Sequence, residues 1–587
     1  MSGNLHVAWA RLFMRALATS GVKSLVVSPG SRSTPLVLAA SEEEGLTCHV
    51  VVDERSAAFF ALGQARITGA PTALLCTSGT AGAHYFPAII EAAASFVPLV
   101  VVTADRPWEA YDAAAPQTID QTKLFGDYVR HFAELGLPDA SATAMRAVVR
   151  IAAQSVESSL GPTPGPVHVN ARFRKPLEPV FGAPREAWHD EWERLMAKGA
   201  PRVHAAHVAP ADAVIEELAA TLSRASRGLI VCGPADPSCD GDSRRAAVVA
   251  LARATGFPLL AEATSQIRFG GAERGAPVIG AFDAILRDPA TRAALAADLI
   301  VEIGAPPTSG AYAVFLAEQP PGRRVVIAAH GWNDPAGGAT DLVRGDPTLV
   351  CRALAARAVV APGAPRSARD ACVRAEAAVW SAVQAELEEG ALTEGRVARD
   401  VVDALPEGGV LVLSNSNPVR DVDTYAAPSR CALRVVHQRG ASGIDGLLST
   451  AAGAQTATGA PVALLVGDLA FLHDVGGLAQ VRASKGPLAI VVVQNGGGRI
   501  FEQLPIARAT DAATLSRFFV TPEPVNVAGV AAAFGVRHVA ARTPAALSAV
   551  LRDTLAGEVP VIVEALVEPN AAARRARVWS EWPRSVA

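Results

Sequence analysis

An internal repeat in this chain of 587 residues constrains its fold more than any other feature. Three segments of the first part have counterparts near the end, in the same order: LVVSPGS (25–31) and LVLSNS (411–416), TGAP (68–71) and TGAP (458–461), PLVVV (98–102) and PLAIVVV (487–493). The paired segments are 386, 390 and 389 residues apart, an almost constant register. We therefore expect the first and last parts of the chain to share one topology.

Short β-branched runs alternate with Ala-rich helical stretches, as in parallel sheets with crossover helices. The clearest predicted strands are residues 24–28, 49–53, 72–77, 98–103, 228–233, 298–304, 324–328, 409–414, 433–437, 462–467 and 488–494. Most of them are apolar on both faces, and in doubly wound sheets ligands bind at the carboxyl ends of such strands. The fold class is therefore α/β, with three doubly wound parallel-sheet domains, the first and third related by duplication.

Segments rich in Pro and Trp interrupt this alternation at residues 176–208 and 361–365. Such segments are typical of domain borders. We predict domains at residues 1–185, 205–355 and 370–587.

The composition excludes several classes of protein. Hydrophobic residues make up 50% and charged residues 19%, which excludes a disordered chain. The chain has 53 Lys and Arg against 57 Asp and Glu, so it lacks the excess of positive charge that would indicate binding to nucleic acid or to an anionic membrane. Seven scattered cysteines without a Cys-x-x-Cys pair argue against disulfides and zinc. Arg11 and Arg15 interrupt the apolar N-terminal stretch, so we expect a cytoplasmic enzyme without a signal peptide or membrane span.

Polar residues follow two strong strands of the last domain. Asp468 comes directly after 462–467, and Asn495 follows 488–494 and precedes three glycines. Because parallel strands end at one sheet edge, the carboxylate and the amide oxygen can converge. Mg²⁺ requires such oxygen ligands, and glycines let the backbone approach a diphosphate and supply a carbonyl ligand. The structural alternative is a helix-capping Asp beside an ordinary Asn-Gly turn.

This spacing resembles the metal–diphosphate motif of thiamine diphosphate enzymes, which have pyrimidine-binding, central Rossmann-like and diphosphate-binding domains. The resemblance implies a Glu directly after the second strand of the first domain, and Glu54 occupies that position. It further implies that the carboxyl group, tuned by burial, hydrogen-bonds the aminopyrimidine of the cofactor and starts its activation. A first-turn carboxylate favoured by the helix dipole is the structural alternative.

Longer motifs narrow the resemblance. They are SPGSRSTPL (28–36), CTSGTA (76–81), TADRP (103–107), PQTIDQ (116–121), NSNPVRD (415–421), RGASGIDG (439–446) and GGGRIF (496–501). As a set they resemble the 2-succinyl-5-enolpyruvyl-6-hydroxy-3-cyclohexene-1-carboxylate synthase family of menaquinone biosynthesis, densely in the first and last domains and thinly in the middle. The resemblance implies that 2-oxoglutarate loses CO₂ and that the succinyl carbanion adds to isochorismate.

The resemblance also implies roles for individual residues. The catalytic residues would be Glu54, Ser31, Arg32 and Gln117. The substrate-binding residues would be Arg32, Arg106, Asn415, Ser416, Arg420, Arg439, Ile500, Phe501 and Leu504. Thiamine diphosphate would contact Glu54, Ser442, Gly443, Ile444, Gly467, Asp468, Leu469, Ala470, Asn495, Gly497 and Ile500, with Ile444 as the apolar wedge that bends the cofactor. Mg²⁺ or Mn²⁺ would bind Asp468, Asn495 and the carbonyl of Gly497.

The substrates give an independent argument for the arginines. Both are dicarboxylates, and the planar guanidinium binds a carboxylate through two hydrogen bonds. Four arginines lie in motifs at strand ends: Arg32, Arg106, Arg420 and Arg439. Ordinary surface positions are the alternative, because Arg greatly outnumbers Lys. We expect Arg32 to serve isochorismate.

Two departures from the family pattern are visible. Ala470 stands where a small polar residue is frequent, and Gln494 stands where another Asn is common. Neither change removes an oxygen ligand of the metal.

Glu54 and Asp468 lie in different predicted domains, and the resemblance implies that they meet across the interface of a homodimer, often doubled to a tetramer. One alternative function is another thiamine diphosphate-dependent 2-oxoacid carboligase or decarboxylase, such as an acetolactate synthase or a simple 2-oxoacid decarboxylase. Decarboxylases of that type use a His pair in the first domain, and no such pair follows residues 103–107. A non-catalytic nucleotide-binding module is a second alternative, opposed by the intact Glu54, Asp468 and Asn495. The central domain lacks a Gly-x-Gly-x-x-Gly motif, which favours a structural role.

Overall fold

The computed structural model describes residues 4–180, 184–204, 206, 208–237, 241–271, 276–358, 367–388 and 390–585. In this part of the chain, eighteen strands form three six-stranded sheets, and neighbouring strands are parallel in each. The prediction of an α/β fold with three parallel sheets is confirmed. Among the described helices, none has the length and apolar character needed to cross a membrane.

The first sheet is built from residues 24–172. Its strands are β1 Ser24–Val27, β2 Thr47–Val50, β3 Thr72–Cys76, β4 Leu99–Asp105, β5 Phe132–Glu134 and β6 Pro166–Arg172. The helices of this part of the chain are α1 Leu5–Thr19, α2 Thr34–Ser41, α3 Glu54–Thr68, α4 Phe86–Ser95, α5 Ala142–Leu160 and α6 Trp188–Lys198. The strand order is β2-β1-β3-β4-β6-β5.

The second sheet is built from residues 228–344. Its strands are β7 Gly228–Cys232, β8 Leu259–Ala261, β9 Val278–Ile279, β10 Leu299–Ile303, β11 Arg323–Ala328 and β12 Asp341–Arg344. The accompanying helices are α7 Asp212–Arg224, α8 Gly241–Thr255, α9 Phe282–Ile285, α10 Pro289–Ala294, α11 Gly310–Glu318 and α12 Pro347–Arg357. The order β12-β11-β10-β7-β8-β9 is that of a doubly wound nucleotide-binding sheet.

The third sheet is built from residues 410–566. Its strands are β13 Val410–Leu413, β14 Arg434–His437, β15 Val462–Gly467, β16 Leu488–Gln494, β17 Arg537–Ala541 and β18 Val561–Leu566. The helices of this part of the chain are α13 Ser367–Leu387, α14 Glu394–Ala404, α15 Asn417–Tyr425, α16 Leu447–Thr458, α17 Asp468–His473, α18 Leu478–Ala483, α19 Ile506–Ala509, α20 Ala512–Leu515, α21 Val527–Phe534, α22 Pro544–Leu555 and α23 Ala571–Glu581.

The order of the third sheet, β14-β13-β15-β16-β18-β17, repeats that of the first strand for strand. The repeated segments of the sequence coincide with equivalent strands, since β1, β3 and β4 correspond to β13, β15 and β16. The duplication inferred from the sequence is confirmed by this shared topology, which the second sheet does not have.

The chain packs as two compact units. One comprises Met1–Ala205, Gln438–Thr458 and Asp474–Ala483, and the other comprises Ala206–His437, Gly459–His473 and Ser484–Ala587. The predicted boundaries at 1–185, 205–355 and 370–587 stay predictions, and the predicted border at 361–365 lies outside the described residues. The six described cysteines are free, and Cys239 also lies outside the described residues.

Two helices of the first unit approach closely because each carries a glycine at the crossing. A Cβ on Gly63 of α3 would lie 2.2 Å from the Thr450 carbonyl oxygen of α16. Likewise, a Cβ on Gly453 of α16 would lie 2.1 Å from the Phe60 carbonyl oxygen of α3. Only glycine permits this backbone contact, which sets the position of α3 and of Glu54 at its first turn.

Seven strands escaped the sequence analysis: β5, β6, β8, β9, β12, β17 and β18. Some, like β9, are too short for a recognisable pattern, and β6 carries the buried polar residues His168, Asn170 and Arg172. The strand predicted at 49–53 was placed wrongly, since β2 ends at Val50. Residues 51–53 instead lead into α3, where the Asp53 carboxylate accepts the N–H of Arg55 (2.9 Å) as the helix cap.

Candidate active site

The structure brings Asp468 and the loop after Asn495 together at one edge of the third sheet. Asp468 begins α17 directly after β15, and Asn495 follows the neighbouring parallel strand β16. The Asp468 carboxylate is buried, and its Oδ2 accepts the N–H groups of Gly496 (2.9 Å) and Gly497 (2.8 Å). Its Oδ1 accepts the N–H of Leu469 at 2.8 Å. The predicted convergence of these two strand ends is therefore present.

The glycines of this loop are required by its backbone. Gly496 and Gly497 have φ values of 77° and 111°, in the region that favours glycine. A Cβ on Gly497 would also lie 2.3 Å from the Val520 carbonyl oxygen. The loop is therefore held in a shape that only glycine permits. The other predicted cofactor residues of this edge adjoin it: Gly467 ends β15, and Leu469 and buried Ala470 lie in α17.

One oxygen atom of Asn495 bears on the choice between a metal site and a simple turn. The side chain is buried, and its Nδ2 donates to Glu394 Oε1 at 2.6 Å. Its Oδ1 has no hydrogen-bond partner among the described residues. A buried amide oxygen without a partner costs free energy unless it binds something else, such as a cation.

The donor set suits a hard cation. It contains the Asp468 carboxylate, the Asn495 amide oxygen and the Gly497 carbonyl, which already accepts the N–H of Arg499 (2.8 Å) and has a second lone pair. Among the described residues, no group of three or more His, Cys, Asp or Glu side chains is arranged so that it could hold a metal ion. The site is thus formed by one carboxylate and neutral oxygens, a set that fits Mg²⁺ bound together with phosphate oxygens.

A buried polar network that the sequence analysis missed lies behind Asn495. Glu394, at the start of α14, accepts Asn495 Nδ2 on one carboxyl oxygen and Asn417 Nδ2 (3.1 Å) on the other. Asp421 in turn accepts Arg575 Nη2 at 2.5 Å. Burial raises the pKa of Glu394, and the neighbouring Asp421 carboxyl raises it further. In the sequence Glu394 looks like any first-turn helix carboxylate.

The segment after β13 carries three of the predicted substrate residues. Asn415 is buried, and Ser416 has a φ of 71°, unusual for a residue other than glycine. Arg420 is half-buried, and its Nη1 donates to the Ser416 carbonyl oxygen at 2.7 Å. Strained backbone of this kind persists where the surroundings hold it and is frequent at functional sites.

Apolar residues flank the glycine loop. Ile500 and Phe501 lie in the short helix Arg499–Gln503, and the Phe501 ring centroid is 5.5 Å from that of Phe519. Leu504 follows with 43% of its surface exposed. These three predicted substrate contacts therefore lie together beside the Gly497 turn.

The first unit contains the remaining predicted residues, beginning with Glu54. Glu54 is the first residue of α3, as the resemblance requires, directly after the capping residue Asp53. Its side chain is half-buried in this unit, so the burial expected for a tuned carboxyl group is incomplete here.

Arg32, Arg106 and Gln117 lie near one another in this unit. Arg106 Nη1 donates to the Gln117 carbonyl oxygen (2.6 Å) and to the Ser78 hydroxyl, and Gln117 Nε2 donates to the Ser78 carbonyl oxygen (3.0 Å). Arg32 Nη1 donates to the Phe173 carbonyl oxygen at 2.8 Å. Burial lowers the pKa of Arg32, and the charge of Arg106 contributes to that decrease. Two adjacent cations form a suitable place for a carboxylate. Exposed Ser31 precedes Arg32 in the same loop.

The loop at residues 439–446 is anchored by a second carboxylate that the sequence analysis missed. Buried Glu91 accepts the N–H groups of Gly440 (3.1 Å) and Ala441 (2.6 Å). This contact fixes the start of a segment that contains half-buried Arg439, exposed Ser442 with a φ of 61°, and half-buried Gly443 and Ile444. No local pattern could have indicated Glu91, which lies 349 residues before Gly440.

Comparison with protein families agrees with this arrangement. Residues 8–124 match the N-terminal TPP-binding domain of thiamine pyrophosphate enzymes, and residues 424–565 match their C-terminal TPP-binding domain. The first match contains Glu54, and the second contains Asp468 and Asn495.

Curated relatives cover the whole chain. It is 57% identical to the 2-succinyl-5-enolpyruvyl-6-hydroxy-3-cyclohexene-1-carboxylate synthase of Sorangium cellulosum, over 100% of this chain and 96% of that protein. It is 41% identical to the synthase of the same name from Myxococcus xanthus, over 97% and 95% of the two chains. Among solved structures, a candidate thiamin diphosphate-dependent enzyme from Mycobacterium smegmatis has the same fold, with a TM-score of 0.68, 18% identity, and coverage of 94% of this chain and 98% of that one.

Proposed function

Because the chain belongs to the 2-succinyl-5-enolpyruvyl-6-hydroxy-3-cyclohexene-1-carboxylate synthase family of thiamine pyrophosphate enzymes, we propose that it transfers a succinyl unit from 2-oxoglutarate to isochorismate with loss of CO₂. This is a decarboxylating carboligation of menaquinone biosynthesis. The acetolactate synthase-like alternative is not favoured by the relatives.

The metal–diphosphate part of the proposal rests on the buried amide oxygen of Asn495 beside Asp468, which has no hydrogen-bond partner in the part of the chain that the structure describes. Asp468 Oδ, Asn495 Oδ1 and the Gly497 carbonyl would hold Mg²⁺ or Mn²⁺. Gly467, Leu469 and Ala470 would line the diphosphate, and Ile500 would lie beside it. Bound thiamine diphosphate supplies the carbanion chemistry that a 2-oxoacid decarboxylation needs.

Glu54 would hold a proton against a ring nitrogen of the cofactor aminopyrimidine. The position of Glu54 as the first residue of α3 and the partial burial of its side chain support this role. Ser442 and Gly443 would contact the cofactor as well, and Ile444 would support its bent shape.

The arginines would bind the substrate carboxylates. Arg32 and Arg106, with Ser31 and Gln117, would act from the loops of the first sheet. A carboxylate between two adjacent guanidinium groups relieves their mutual repulsion, which supports this assignment.

A second set of polar groups would bind substrate from other loops: Asn415, Ser416, Arg420 and Arg439. Phe501 and Leu504 would exclude water there. The homodimer with a shared active site, its doubling to a tetramer and the cytoplasmic location stay predictions of the family resemblance.

The test measures consumption of 2-oxoglutarate and release of CO₂ by purified protein with thiamine diphosphate and Mg²⁺. We expect turnover only when isochorismate is also present, and none with pyruvate in place of 2-oxoglutarate. Glu54→Gln should abolish proton exchange at the reactive carbon of the bound cofactor while the cofactor still binds. The control is Arg146→Ala, which removes an exposed ion pair with Glu191. Turnover of pyruvate, or normal exchange in Glu54→Gln, would contradict the proposal.

A further inference from the structure

Glu394 holds two side-chain amides at once. Its Oε1 accepts Asn495 Nδ2 at 2.6 Å, and its Oε2 accepts Asn417 Nδ2 at 3.1 Å. Glu394, Asn417 and Asn495 are all buried, at 3%, 4% and 8% exposure, so water does not readily replace these contacts. With its NH₂ group bound to Glu394, the Asn495 amide must direct its oxygen the other way.

We propose that Glu394 is a positioning residue that keeps the Asn495 amide oriented with its oxygen toward the cation site. This inference rests on the proposed function, which places Mg²⁺ or Mn²⁺ between Asp468 and Asn495. An amide side chain has nearly the same shape after a half-turn, so packing alone does not distinguish its oxygen from its nitrogen. A carboxylate acceptor behind the NH₂ group does distinguish them, because it accepts a hydrogen bond only from the nitrogen.

Through Asn417, the Glu394 carboxylate is also linked to residues that are predicted to bind substrate. Asn417 lies within the segment 415–421, and its Oδ1 accepts Gln503 Nε2 at 3.2 Å. Gln503 ends the short helix that contains Ile500 and Phe501. Asn417 is therefore held by an acceptor on one side and a donor on the other, and these two contacts fix the orientation of its amide.

Only a carboxylate can satisfy both amides. Its two oxygens both accept, whereas a glutamine offers one accepting oxygen and one donating NH₂ group. In Glu394→Gln, one of the two asparagines must therefore turn over. If Asn495 turns, its NH₂ group faces the cation. If Asn417 turns, its contact with Gln503 is lost as well.

The experiment measures Mn²⁺ binding in the presence of saturating thiamine diphosphate, by the electron paramagnetic resonance signal of free Mn²⁺. Partners behind metal ligands typically contribute tenfold to hundredfold in affinity, so we expect Glu394→Gln to weaken Mn²⁺ binding by about that factor. The control is Asp400→Asn on the same helix, a buried carboxylate that accepts from Arg396 and Ser548. It should bind Mn²⁺ like the wild type.

A double-mutant cycle separates positioning from general damage to the fold. A carboxylate at position 495 has no wrong orientation, and it can accept from the glutamine NH₂ group in Glu394→Gln. In the wild-type background, Asn495→Asp would place two carboxylates face to face. We therefore expect the effect of Asn495→Asp on Mn²⁺ affinity to be more favourable in the Glu394→Gln background than in the wild type, by about tenfold or more.

Wild-type Mn²⁺ affinity in Glu394→Gln, or equal effects of Asn495→Asp in both backgrounds, would overturn the positioning role. Absence of Mn²⁺ binding by the wild type would overturn the cation site and this inference with it. Product formation by the wild type from 2-oxoglutarate and isochorismate is measured separately, and it alone decides the proposed function.

Discussion

Glu91→Ala should loosen the loop at residues 439–446 and destabilise the first unit. In the wild type, the Glu91 carboxylate accepts Arg66 Nη2 (3.1 Å) and Ser95 Oγ (2.7 Å) in addition to two backbone N–H groups of the loop. The Arg66 and Glu91 side chains are 0% and 4% exposed. The change therefore removes the carboxylate partner of a buried guanidinium and both anchors of Gly440 and Ala441.

The loss of the ion pair should dominate the change in free energy. Removing one partner of a buried ion pair typically costs about 3–5 kcal/mol. The N–H groups of Gly440 and Ala441 belong to exposed residues, so water can replace the carboxylate there at little cost. We therefore expect a decrease of about 3–5 kcal/mol in the free energy of unfolding. Glu91→Gln, which keeps the shape and loses the charge, should cost about 1.5–3 kcal/mol.

Two measurements check this prediction. Denaturant unfolding gives the stability, and hydrogen exchange followed by mass spectrometry reports the amides of residues 440 and 441. The control is Ser95→Ala, which removes one hydrogen bond from a hydroxyl group to the Glu91 carboxylate and should cost about 1.5–3 kcal/mol. Unchanged exchange at Gly440 and Ala441 in Glu91→Ala, or a loss of stability no larger than in Ser95→Ala, would refute the reasoning.

Three further predictions follow from other contacts. Gly453→Ala should destabilise the first unit by about 1–3 kcal/mol or more in denaturant unfolding, because its Cβ would overlap the Phe60 carbonyl; a more stable variant would contradict this. Burial lowers the pKa of His168 from 6.5 to about 3. Between these two pH values, His168 binds a proton in the unfolded chain but not in the folded chain. Stability should therefore fall by about 1.4 kcal/mol per pH unit as the pH drops below 6.5, and this slope should be reduced in His168→Gln. Arg32→Ala and Arg420→Ala should each raise KM about tenfold to hundredfold mainly for one substrate, isochorismate in the case of Arg32; equal effects on both substrates would return these arginines to structural roles.

The sequence determined the fold class and the duplication. Strands such as β3, β4, β15 and β16 are buried on both faces, and continuous apolar runs are the direct mark of that environment. Strand β6 has no continuous apolar run, because His168, Asn170 and Arg172 are among its buried residues. These polar residues are recognised as strand residues only in the folded structure, where partners from other strands hydrogen-bond them, as Thr103 does for Nε2 of His168 at 2.8 Å.

The candidate site also contains some residues that were predicted from the sequence and others that only the structure identifies. The convergence of Asp468 and Asn495 was predicted from the sequence because each directly follows an apolar strand, and parallel pairing brings neighbouring strand ends to one edge. Glu394 lies 101 residues before Asn495, and Glu91 lies 349 residues before Gly440. The sequence around Glu394 and around Glu91 contains no pattern that indicates these hydrogen-bond partners. Only the tertiary structure selects them, because the cost of burying a carboxylate is met by whichever donors the folded chain brings within reach.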